Sequence, residues 1–344
     1  MEKASRPLEG IKVVELATFI AAPCCARFLA DLGAEVIKIE APAGDPLRYT
    51  AVNEGRPQDQ KENTTYDLEN ANKTCIALNT KSAAGREALE KLIAGADIFI
   101  TNWRQNPLKK AGLDYETLHA KYPALVYGFV SGYGEKGPDK DLPGFDFTAF
   151  FARGGVLGTL FDKDSLPMLT IAGFGDHQVG LYLASGVLAA LYRAKQTGQG
   201  DRVVVSLFHS AIWDVSLMLQ ANIEEFYDFL VAEMATRTLD EWCALMDAND
   251  LPYAVAQTWD QLLKDKQAWA ADCFYEMDYP NGVKRTMVRP PIMFEETPLP
   301  PYNRGPYLGE QTEEILKKLG YTDEQVAAMI AAGDAAAMDP ALKD

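Results

Sequence analysis

The amino-terminal part of the chain alternates between apolar runs and a helical apolar pattern. Residues 11–16 are a short apolar run, residues 23–32 have apolar positions at helical spacing after Pro23, and residues 35–39 are again rich in β-branched side chains. Two such runs on either side of an amphipathic helix are typical of a βαβ unit, in which a helix joins two parallel strands. We therefore predict this unit at the start of the fold.

The same alternation continues through the first 210 residues. Apolar runs at 74–78, 97–101, 125–130 and 202–207 predict buried strands, and helical patterns at 83–94, 115–121 and 180–195 lie between them. Strands that alternate with helices favour a parallel sheet covered by helices on both faces. The predicted fold class is α/β.

The pattern changes after Trp213. Residues from about 223 to 269 have a helical pattern that is strongly charged on one side, and residues 272–294 predict a strand pair around the turn Asn281-Gly282. Four prolines between 296 and 309 exclude a regular helix there and indicate a linker, which two short amphipathic helices at 312–319 and 323–332 follow. We expect a large domain over residues 1–213, a smaller α+β domain over 223–295, and a linker with carboxy-terminal helices over 296–344.

Charge and composition exclude several classes of function. The chain has 344 residues and a formal net charge of −16, which disfavours binding to nucleic acid or to an anionic membrane. No apolar run approaches the roughly 20 residues that span a bilayer, and the first ten residues lack the apolar core of a signal peptide. Five cysteines without a CxxC pair predict reduced thiols in the cytoplasm and no disulfide, and three histidines without metal-ligand spacing predict no metal site.

Asp176 is the candidate catalytic residue. It lies in Gly173-Phe174-Gly175-Asp176-His177, directly before the long predicted helix. One interpretation is an ordinary helix cap, for which aspartate is a preferred residue. The other is a nucleophile, because backbone N–H groups and the dipole at a helix start stabilise a carboxylate and an oxyanion nearby. His177 is next to it, but neighbours on a helix do not face each other, so we do not assign His177 as a base.

Candidate ligand-binding residues follow the predicted strands. Phe19 and Ile20 end the first strand, where open α/β sheets bind ligands, although a GxGxxG sequence is absent. Polar and basic side chains that could contact phosphates follow two other strands, with a solvated surface as the alternative interpretation: Lys38 and Arg48, and the cluster Asn102, Arg104, Lys109 and Lys110. Asp146, in Pro143-Gly144-Phe145-Asp146, could cap a helix or support the site.

Several short segments together resemble the family III CoA-transferases. They occur in family order and cover nearly the whole chain: LEGIKVVE at 8–15, ADLGAEVIKIE at 30–40, Gly44-Asp45 with Arg48, SGYG at 131–134, PGFD at 143–146, Gly175-Asp176, TGQG at 197–200 and LGEQT at 308–312. Residues 44–50, 62–73 and 134–144 are similar to the members that activate 2-hydroxy acids in anaerobic amino-acid fermentation.

The resemblance implies a mechanism and a set of partners. Asp176 would attack the thioester of an acyl-CoA, such as an arylacryloyl-CoA, and CoA would pass through a mixed anhydride and an aspartyl-CoA thioester to a 2-hydroxy acid such as (R)-phenyllactate. CoA would be a substrate, with no permanently bound cofactor. Phe19 and Ile20 would line the thioester and Lys110 would contact CoA. The family also implies a Rossmann-like domain, an interlocked homodimer and association with a 2-hydroxyacyl-CoA dehydratase.

Some positions depart from the family pattern. Ala41 and Ser131 stand where some relatives have basic residues, and the chain is several dozen residues short between Asn222 and Ile223, within the expected small domain. Another carboxylate acceptor, such as 2-hydroxyisocaproate, stays open. Two further alternatives are an acyl-CoA racemase and a non-catalytic CoA-binding subunit. Racemase relatives have a histidine at the position of Phe145, and phenylalanine cannot transfer a proton.

Overall fold

The computed structural model describes residues 6–56, 58–160, 170–219, 224–294, 297, 301 and 303–343. The expected shortening at Asn222 and Ile223 lies outside these residues. The described part contains the strands β1 (Lys12–Leu16), β2 (Glu35–Glu40), β3 (Thr74–Leu78), β4 (Ile98–Thr101), β5 (Val126–Ser131), β6 (Arg202–Ser206), β7 (Phe274–Asp278), β8 (Lys284–Val288) and β9 (Ala335–Ala336).

The helices connect these strands and extend the chain beyond the sheet. They are α1 (Ala21–Asp31), α2 (Thr64–Asn70), α3 (Ala83–Ala94), α4 (Gln105–Ala111), α5 (Tyr115–Lys121), α6 (Val156–Leu160), α7 (Phe174–Thr197), α8 (Leu207–Asp214), α9 (Glu224–Met234), α10 (Leu239–Ala248), α11 (Trp259–Leu262), α12 (Lys266–Ala270), α13 (Thr312–Lys318) and α14 (Asp323–Ala331). A π-helix covers Asp146–Ala152. In the described ranges no helix combines the length and hydrophobicity needed to cross a bilayer.

Seven strands form one sheet, in the order β6-β5-β4-β1-β2-β3-β9. The strands β1 to β6 are all parallel to their neighbours, and β9 pairs antiparallel with β3. The order 3-2-1-4-5-6 is that of the Rossmann fold, and it confirms the predicted α/β class. The strand order reverses between β1 and β4, so a crevice opens there at the carboxyl ends of the strands.

The predicted elements agree closely with the observed ones where periodicity was strong. The strand at 74–78 and the helices at 83–94 and 115–121 have the predicted bounds, and β7 and β8 form the predicted antiparallel hairpin. Helix α7 begins six residues before the predicted start, and this extension brings Asp176 into its first turn. The strand β9, in the alanine-rich tail, was not predicted.

Helices α1 and α7 pack closely because glycine stands at their contact. A Cβ atom on Gly180 would lie 2.8 Å from the Cys24 side chain and 2.9 Å from the carbonyl oxygen of Ala21. No side chain fits at these distances, so Gly180 lets the two backbones approach. The first turn of α7 is thereby held beside the loop that follows β1.

A buried ion network connects β1 and β2 to that loop. The Lys38 ammonium lies 2.8 Å from Glu15, 2.9 Å from Asp45 and 3.0 Å from the carbonyl oxygen of Ala17, and the side chains of Lys38, Glu15 and Asp45 are fully buried. Lys73 lies 2.7 Å from the other oxygen of Glu15. Burial opposes ionisation of Glu15, but the two lysines outweigh it and lower its pKa. A charged residue is therefore stable in a central strand.

A second part of the network holds the turn after β2. The Arg48 guanidinium donates to both carboxylate oxygens of Glu40, each at 2.8 Å, and the Tyr66 hydroxyl donates to Glu40 at 2.6 Å. Burial opposes ionisation of Glu40, but Arg48 and Lys38 lower its pKa to about 2. The backbone N–H of Asp45 also donates to Glu40, at 2.7 Å, which connects the two parts of the network.

The segment from 224 to 294 packs little against the large sheet. The β7–β8 hairpin lies on α2, where the Tyr279 hydroxyl donates to Asp67 at 2.6 Å. The predicted helical stretch is divided into the four helices α9 to α12, with residues 251–258 outside any helix. No residue of α10, α11 or α12 is buried. Leu239 and Trp259 on these helices, and Leu251 between α10 and α11, are more than half exposed.

Replacing Lys38 by methionine should destabilise the fold. The variant keeps the length of the side chain but leaves Glu15 and Asp45 without the cation between them, which costs about 3–5 kcal/mol for a buried pair. We expect a clear fall in the midpoint of urea denaturation. The control Lys91→Met removes an exposed ion pair with Glu87 and should leave the midpoint unchanged. Equal midpoints for the two variants would contradict a stabilising role of the network.

Candidate active site

A cavity of about 570 Å³ lies at the carboxyl ends of β1, β4 and β5. The loops that follow these strands form its walls together with the start of α1 and the first turn of α7. It is therefore located where the strand order of the sheet reverses. Six of the residues singled out from the sequence line it: Phe19, Ile20, Asn102, Arg104, Lys109 and Asp176.

Asp176 does not cap helix α7. The N-cap is Gly173, with a φ of 82°, and the helix has no side-chain cap from its own N-cap residue. Within the described residues the Asp176 carboxylate has no hydrogen-bond partner, and only burial and the charges of neighbouring side chains act on it. It is a carboxylate that lines the cavity near the positive end of a 24-residue helix. The capping interpretation of Asp176 is therefore wrong, and its oxygens are free to contact a ligand.

The surroundings of Asp176 make it a weak acid for an aspartate. Burial is the main cause, and the nearby carboxylates of Asp146 and Glu69 add to it, while His177 acts in the opposite direction. Together they raise the pKa of Asp176 to about 7. Both protonation states are then populated near neutral pH, and the ionised form is more basic than an exposed aspartate.

The glycine loop before α7 is held by its neighbours. Asp146 accepts a hydrogen bond from the backbone N–H of Gly173 at 2.7 Å. A Cβ atom on Gly175 would lie 2.5 Å from the ring of Phe150, and one on Gly173 would lie 3.2 Å from Ile20. Glycine at these two positions lets the first turn of α7 approach both the π-helix and the loop after β1. Asp146 therefore supports the start of α7, in agreement with one of the two interpretations of this residue from the sequence.

The loop after β1 is held in a strained conformation. Phe19 has a φ of 62°, which is unfavourable for a residue with a bulky side chain and costs about 1 kcal/mol or more. Its N–H donates to Asp45 at 3.1 Å, and its ring meets the Phe145 ring edge to face at 5.6 Å. Asn102 accepts from the N–H of Thr18 at 3.1 Å and donates to its carbonyl oxygen at 2.8 Å. Asn102 therefore positions the loop through its amide.

Lys38 and Arg48 do not reach the cavity. Lys38 is enclosed by Glu15, Asp45 and Ala17, and Arg48 is bound to Glu40 and Tyr66. From the sequence, Lys38 and Arg48 were interpreted as phosphate ligands or as surface charges. In the structure both bind buried carboxylates instead. Their charges hold the turn that contains Asp45. The Asp45 carboxylate accepts the hydrogen bond from the N–H of Phe19. Their effect on the site is indirect.

Three cations without a carboxylate partner line the cavity in the described part of the chain. Arg104 and Lys109 come from the predicted basic cluster, and Lys140 follows β5 in a loop. Lys110, on the same helix as Lys109, is exposed and is not part of the lining. Lys140 lacks a sequence signal because it stands between Asp139 and Asp141. The lining therefore offers cations to a ligand, beside the carboxylates of Glu116, Glu135, Asp141 and Asp176.

His177 has a partner that the sequence did not indicate. Its Nε2 atom lies 2.7 Å from a carboxylate oxygen of Glu69 on α2, 108 residues away. The thiol of Cys24 on α1 is close enough that the donor atoms of Cys24, Glu69 and His177 all lie within 4.8 Å of one another. These are donor types that bind Zn²⁺, although Glu69 and His177 already bind each other here. The three residues lie on three different helices, so their spacing in the sequence does not predict the arrangement.

Comparison with known proteins gives the family. The model of CoA-transferase family III matches residues 8–225 and 217–312. Cinnamoyl-CoA:phenyllactate CoA-transferase of Clostridium sporogenes is 47% identical over 397 aligned positions, which cover 95% of this chain and 96% of the relative. (R)-2-hydroxy-4-methylpentanoate CoA-transferase of Clostridioides difficile is 39% identical, with coverages of 93% and 97%.

The alignment with the Clostridium sporogenes relative is longer than this chain, so the relative has segments without a counterpart here. The two matches to the family model meet at residues 217–225, around the shortening expected from the sequence.

Solved structures agree with the fold. A CaiB/BaiF family protein from Brucella suis has a TM-score of 0.77 at 26% identity, covering 92% of this chain and all of that chain. Rv3272 from Mycobacterium tuberculosis has a TM-score of 0.78 at 25% identity, covering 90% of this chain and 99% of that chain. The parallel sheet, the ordered sequence segments and the family match together show that this chain belongs to CoA-transferase family III.

Proposed function

We propose that this enzyme transfers CoA from an acyl-CoA to a 2-hydroxy acid, with Asp176 as the nucleophile. The observation that carries the proposal is the Asp176 carboxylate, which has no hydrogen-bond partner among the described residues although it lines the cavity at the start of α7. A structural aspartate in this position would cap the helix or bind a cation. A nucleophile needs free oxygens, a raised basicity and access to the substrate, and Asp176 has all three.

The chemistry proceeds by two kinds of covalent intermediate. A carboxylate oxygen of Asp176 attacks the thioester carbonyl carbon, the C–S bond breaks, and CoA leaves as a thiolate. The donor acyl group is then joined to Asp176 as a mixed anhydride. The thiolate attacks the aspartyl carbonyl carbon, which releases the donor carboxylate and leaves an aspartyl-CoA thioester. The acceptor carboxylate then attacks the carbonyl carbon of this thioester, the C–S bond breaks, and a second mixed anhydride forms as the CoA thiolate leaves. The thiolate attacks the acceptor carbonyl carbon of this anhydride, which forms the new acyl-CoA and releases the Asp176 carboxylate. Asp176 is regenerated as a carboxylate, and no proton is needed for any step.

Backbone N–H groups beside the cavity suit the oxyanions of these steps. The first N–H groups of a helix have no partner within the helix, and Ile20 and Ala21 at the start of α1 line the cavity. The start of α7 contributes a second positive helix end. Negative charge that develops on a carbonyl oxygen between them is stabilised by both. The thioester would therefore lie near Phe19 and Ile20, with their backbone along one side.

The unpaired cations suit the phosphates of CoA. Arg104, Lys109 and Lys140 line the same cavity as Asp176, and a compact polyphosphate is attracted locally even though the chain as a whole is acidic. Arg104 and Lys109 are available to bind phosphates, as proposed from the sequence. Lys38 and Arg48 are not, because carboxylates enclose them. Lys110 stays a proposed CoA contact on the resemblance alone. CoA is then bound as a substrate, and no permanent cofactor is proposed.

The acceptor class comes from the relatives. The two relatives at 47% and 39% identity are named for phenyllactate and for 2-hydroxy-4-methylpentanoate, both 2-hydroxy acids with an apolar side chain. An aromatic side chain in the same cavity as Asp176 favours such an acceptor, because Phe145 lines the cavity and is about half exposed. We propose phenyllactate as the first acceptor to test, with an arylacryloyl-CoA as the donor. The aliphatic acid, also called 2-hydroxyisocaproate, is the alternative.

Phe145 argues against the racemase alternative. Its ring contacts Phe19 and offers no group that could move an α-proton. A non-catalytic subunit would not need the free carboxylate of Asp176. Association with a dehydratase, a cytoplasmic location and the three-part division of the chain stay proposals that rest on the resemblance and on composition.

We also propose a homodimer. The exposed apolar side chains of residues 229–270, among them Trp259 at 63% exposure, are unfavourable in water and need a covering surface. The interlocked dimer implied by the family supplies one, since each segment would pack on the other subunit.

Replacing Asp176 by alanine or asparagine should abolish CoA transfer. Both variants lack the carboxylate that forms the covalent intermediates. In the unaltered enzyme, hydroxylamine added during turnover should convert the aspartyl-CoA thioester into a hydroxamate at Asp176, which peptide mass spectrometry detects. The control Asp278→Asn changes an exposed aspartate on the β7–β8 hairpin and should keep full transfer. Transfer that persists in both Asp176 variants would remove the nucleophile.

The rate of acyl-enzyme formation should depend on pH with a midpoint near 7. Asp176 reacts only as the carboxylate, and its pKa is raised to about 7, so the rate is lost as the pH falls through this value. About a tenfold decrease per pH unit is expected below pH 6, and a constant rate above pH 8. Single-turnover measurements with an acyl-CoA from pH 5 to 9 test this. A midpoint near 4 would mean that the surroundings of Asp176 do not raise its pKa.

Light scattering should give a mass of twice 37.8 kDa for the protein in solution. Trp259→Glu puts a charge into the exposed apolar surface of the 224–270 segment and should shift the protein towards the monomer. Tyr192→Glu changes an equally exposed aromatic side chain on α7 and should leave the dimer intact. A monomer for the unaltered chain would refute the proposed assembly.

A further inference from the structure

Three side chains of metal-binding types come together at the first turn of α7. Cys24 of α1, Glu69 of α2 and His177 of α7 place a sulfur, a carboxylate oxygen and a ring nitrogen within 4.8 Å of one another. In the described part of the chain no other group of three such side chains is this close. Sequence spacing predicted no metal site, because the three residues are far apart in the chain.

Hydrogen bonds hold α1 and α2 together beside two of these donors. The Lys73 ammonium donates to the carbonyl oxygen of Pro23 at 2.9 Å and to the side-chain oxygen of Asn70 at 3.0 Å. Pro23 directly precedes Cys24 in the chain, and Asn70 directly follows Glu69. Cys24 and Glu69 are therefore fixed relative to each other by contacts of their chain neighbours, and such fixed positions on helices suit a metal site.

The sulfur of Cys24 lies against α7 because Gly180 leaves space for it. A Cβ atom on Gly180 would lie 2.8 Å from this sulfur, and Gly180 is about one helical turn after His177. Cys24 is 4% exposed, and its thiol has no hydrogen-bond partner among the described residues. The thiol is therefore a buried and unpaired donor on the side of α1 that faces the histidine.

Glu69 and His177 are close to the separation that two ligands of one ion need. The Nε2 atom of His177 lies 2.7 Å from a carboxylate oxygen of Glu69, and neither side chain makes another hydrogen bond in the described structure. A zinc ion lies about 2.0–2.1 Å from each such ligand, which places the two atoms about 3.3 Å apart in a tetrahedral site. The His177 side chain is 40% exposed, so an ion can enter from solvent.

We propose that Cys24, Glu69 and His177 form a binding site for Zn²⁺, with the fourth coordination position open to water. Binding replaces the hydrogen bond between Glu69 and His177 by a bond from each to the ion. The thiol proton goes to solvent, because a coordinating thiol is deprotonated, and any proton on Nε2 of His177 also leaves. The thiolate and the carboxylate then balance the two positive charges of the ion.

The donor types select the metal. A thiolate and an imidazole favour Zn²⁺, whereas Mg²⁺ and Ca²⁺ prefer sites made of oxygen ligands. Three protein ligands with one open position are also the arrangement of zinc sites that bind a further ligand. This inference goes beyond the proposed function, because the site does not depend on the role of Asp176 as a nucleophile.

Zinc binding to the full chain is measured by equilibrium dialysis after treatment with a chelator. We expect one Zn²⁺ per chain and no comparable binding of Mg²⁺. Cys24→Ser and His177→Gln each remove a ligand and should weaken binding by more than about tenfold, since even the loss of an outer partner of a ligand costs that much. The controls Cys273→Ser and His209→Gln change an exposed cysteine and an exposed histidine and should bind as the unaltered chain does. Unchanged binding in both ligand variants would overturn the site.

X-ray absorption at the zinc edge tests the ligand set in the unaltered chain. The spectrum should contain one sulfur at about 2.3 Å and nitrogen or oxygen ligands at about 2.0–2.1 Å. A shell of nitrogen and oxygen alone would show that zinc binds elsewhere on this acidic chain, and would overturn the site. This measurement decides the question even where Cys24→Ser does not fold.

Thermal unfolding gives an independent readout. An ion that joins α1, α2 and α7 binds only the folded chain, so zinc should raise the midpoint of unfolding, and the rise should be absent in Cys24→Ser. An equal rise in Cys24→Ser would contradict the proposed ligands. None of these readouts uses CoA transfer, so transfer that survives in Asp176→Asn would overturn the proposed function and leave the zinc site unaffected.

Discussion

The ion network around Lys38 is the constraint on which the active site depends. One ammonium group lies between Glu15 of β1 and Asp45 of the turn after β2, so two neighbouring strands and a turn share a single cation. Asp45 then accepts the hydrogen bond that holds Phe19 at a positive φ. Buried charges of this kind are stable only while every partner is present. The conformation of the loop that lines the cavity therefore follows from a contact at the centre of the sheet.

The first turn of α7 meets that loop through small residues. Gly180 lets α7 approach α1, and Gly173 and Gly175 let it approach Ile20 and Phe150. This close packing is also the reason why Asp176 is half-buried beside Asp146 and Glu69, and hence why its pKa is raised. The packing and the raised pKa of Asp176 therefore have a common origin, since the contacts that position the carboxylate also remove water from it.

The small second part of the chain is different in character. Its hairpin is attached to α2 through Tyr279 and Asp67, but the helices α10 to α12 have no buried residue. A chain of this size has enough apolar side chains for a core, and here many of them lie on the surface. The large sheet domain holds the candidate catalytic residue Asp176, while many apolar side chains of residues 229–270 are exposed in the described chain.

The sequence by itself determined the parallel sheet and most of the helices, and it made Asp176 the candidate catalytic residue. Periodicity is a local property, so strands such as 74–78 and helices such as 83–94 could be predicted with their bounds. Ordered family segments identified Asp176 where its local setting alone favoured a helix cap. Local pattern could not predict β9, because two alanines have little strand preference and pair with β3 only through the tertiary fold.

Only the tertiary structure decided which charged side chains bind each other. Lys38 and Arg48 had the sequence setting of phosphate ligands, yet the fold encloses both with carboxylates. His177 had no evident partner, and the packing of α2 against the rest of the domain brings Glu69 to it from 108 residues away. The physical reason is that periodicity depends on neighbours in the chain, whereas the partner of a charge depends on which distant segments share its surroundings after folding.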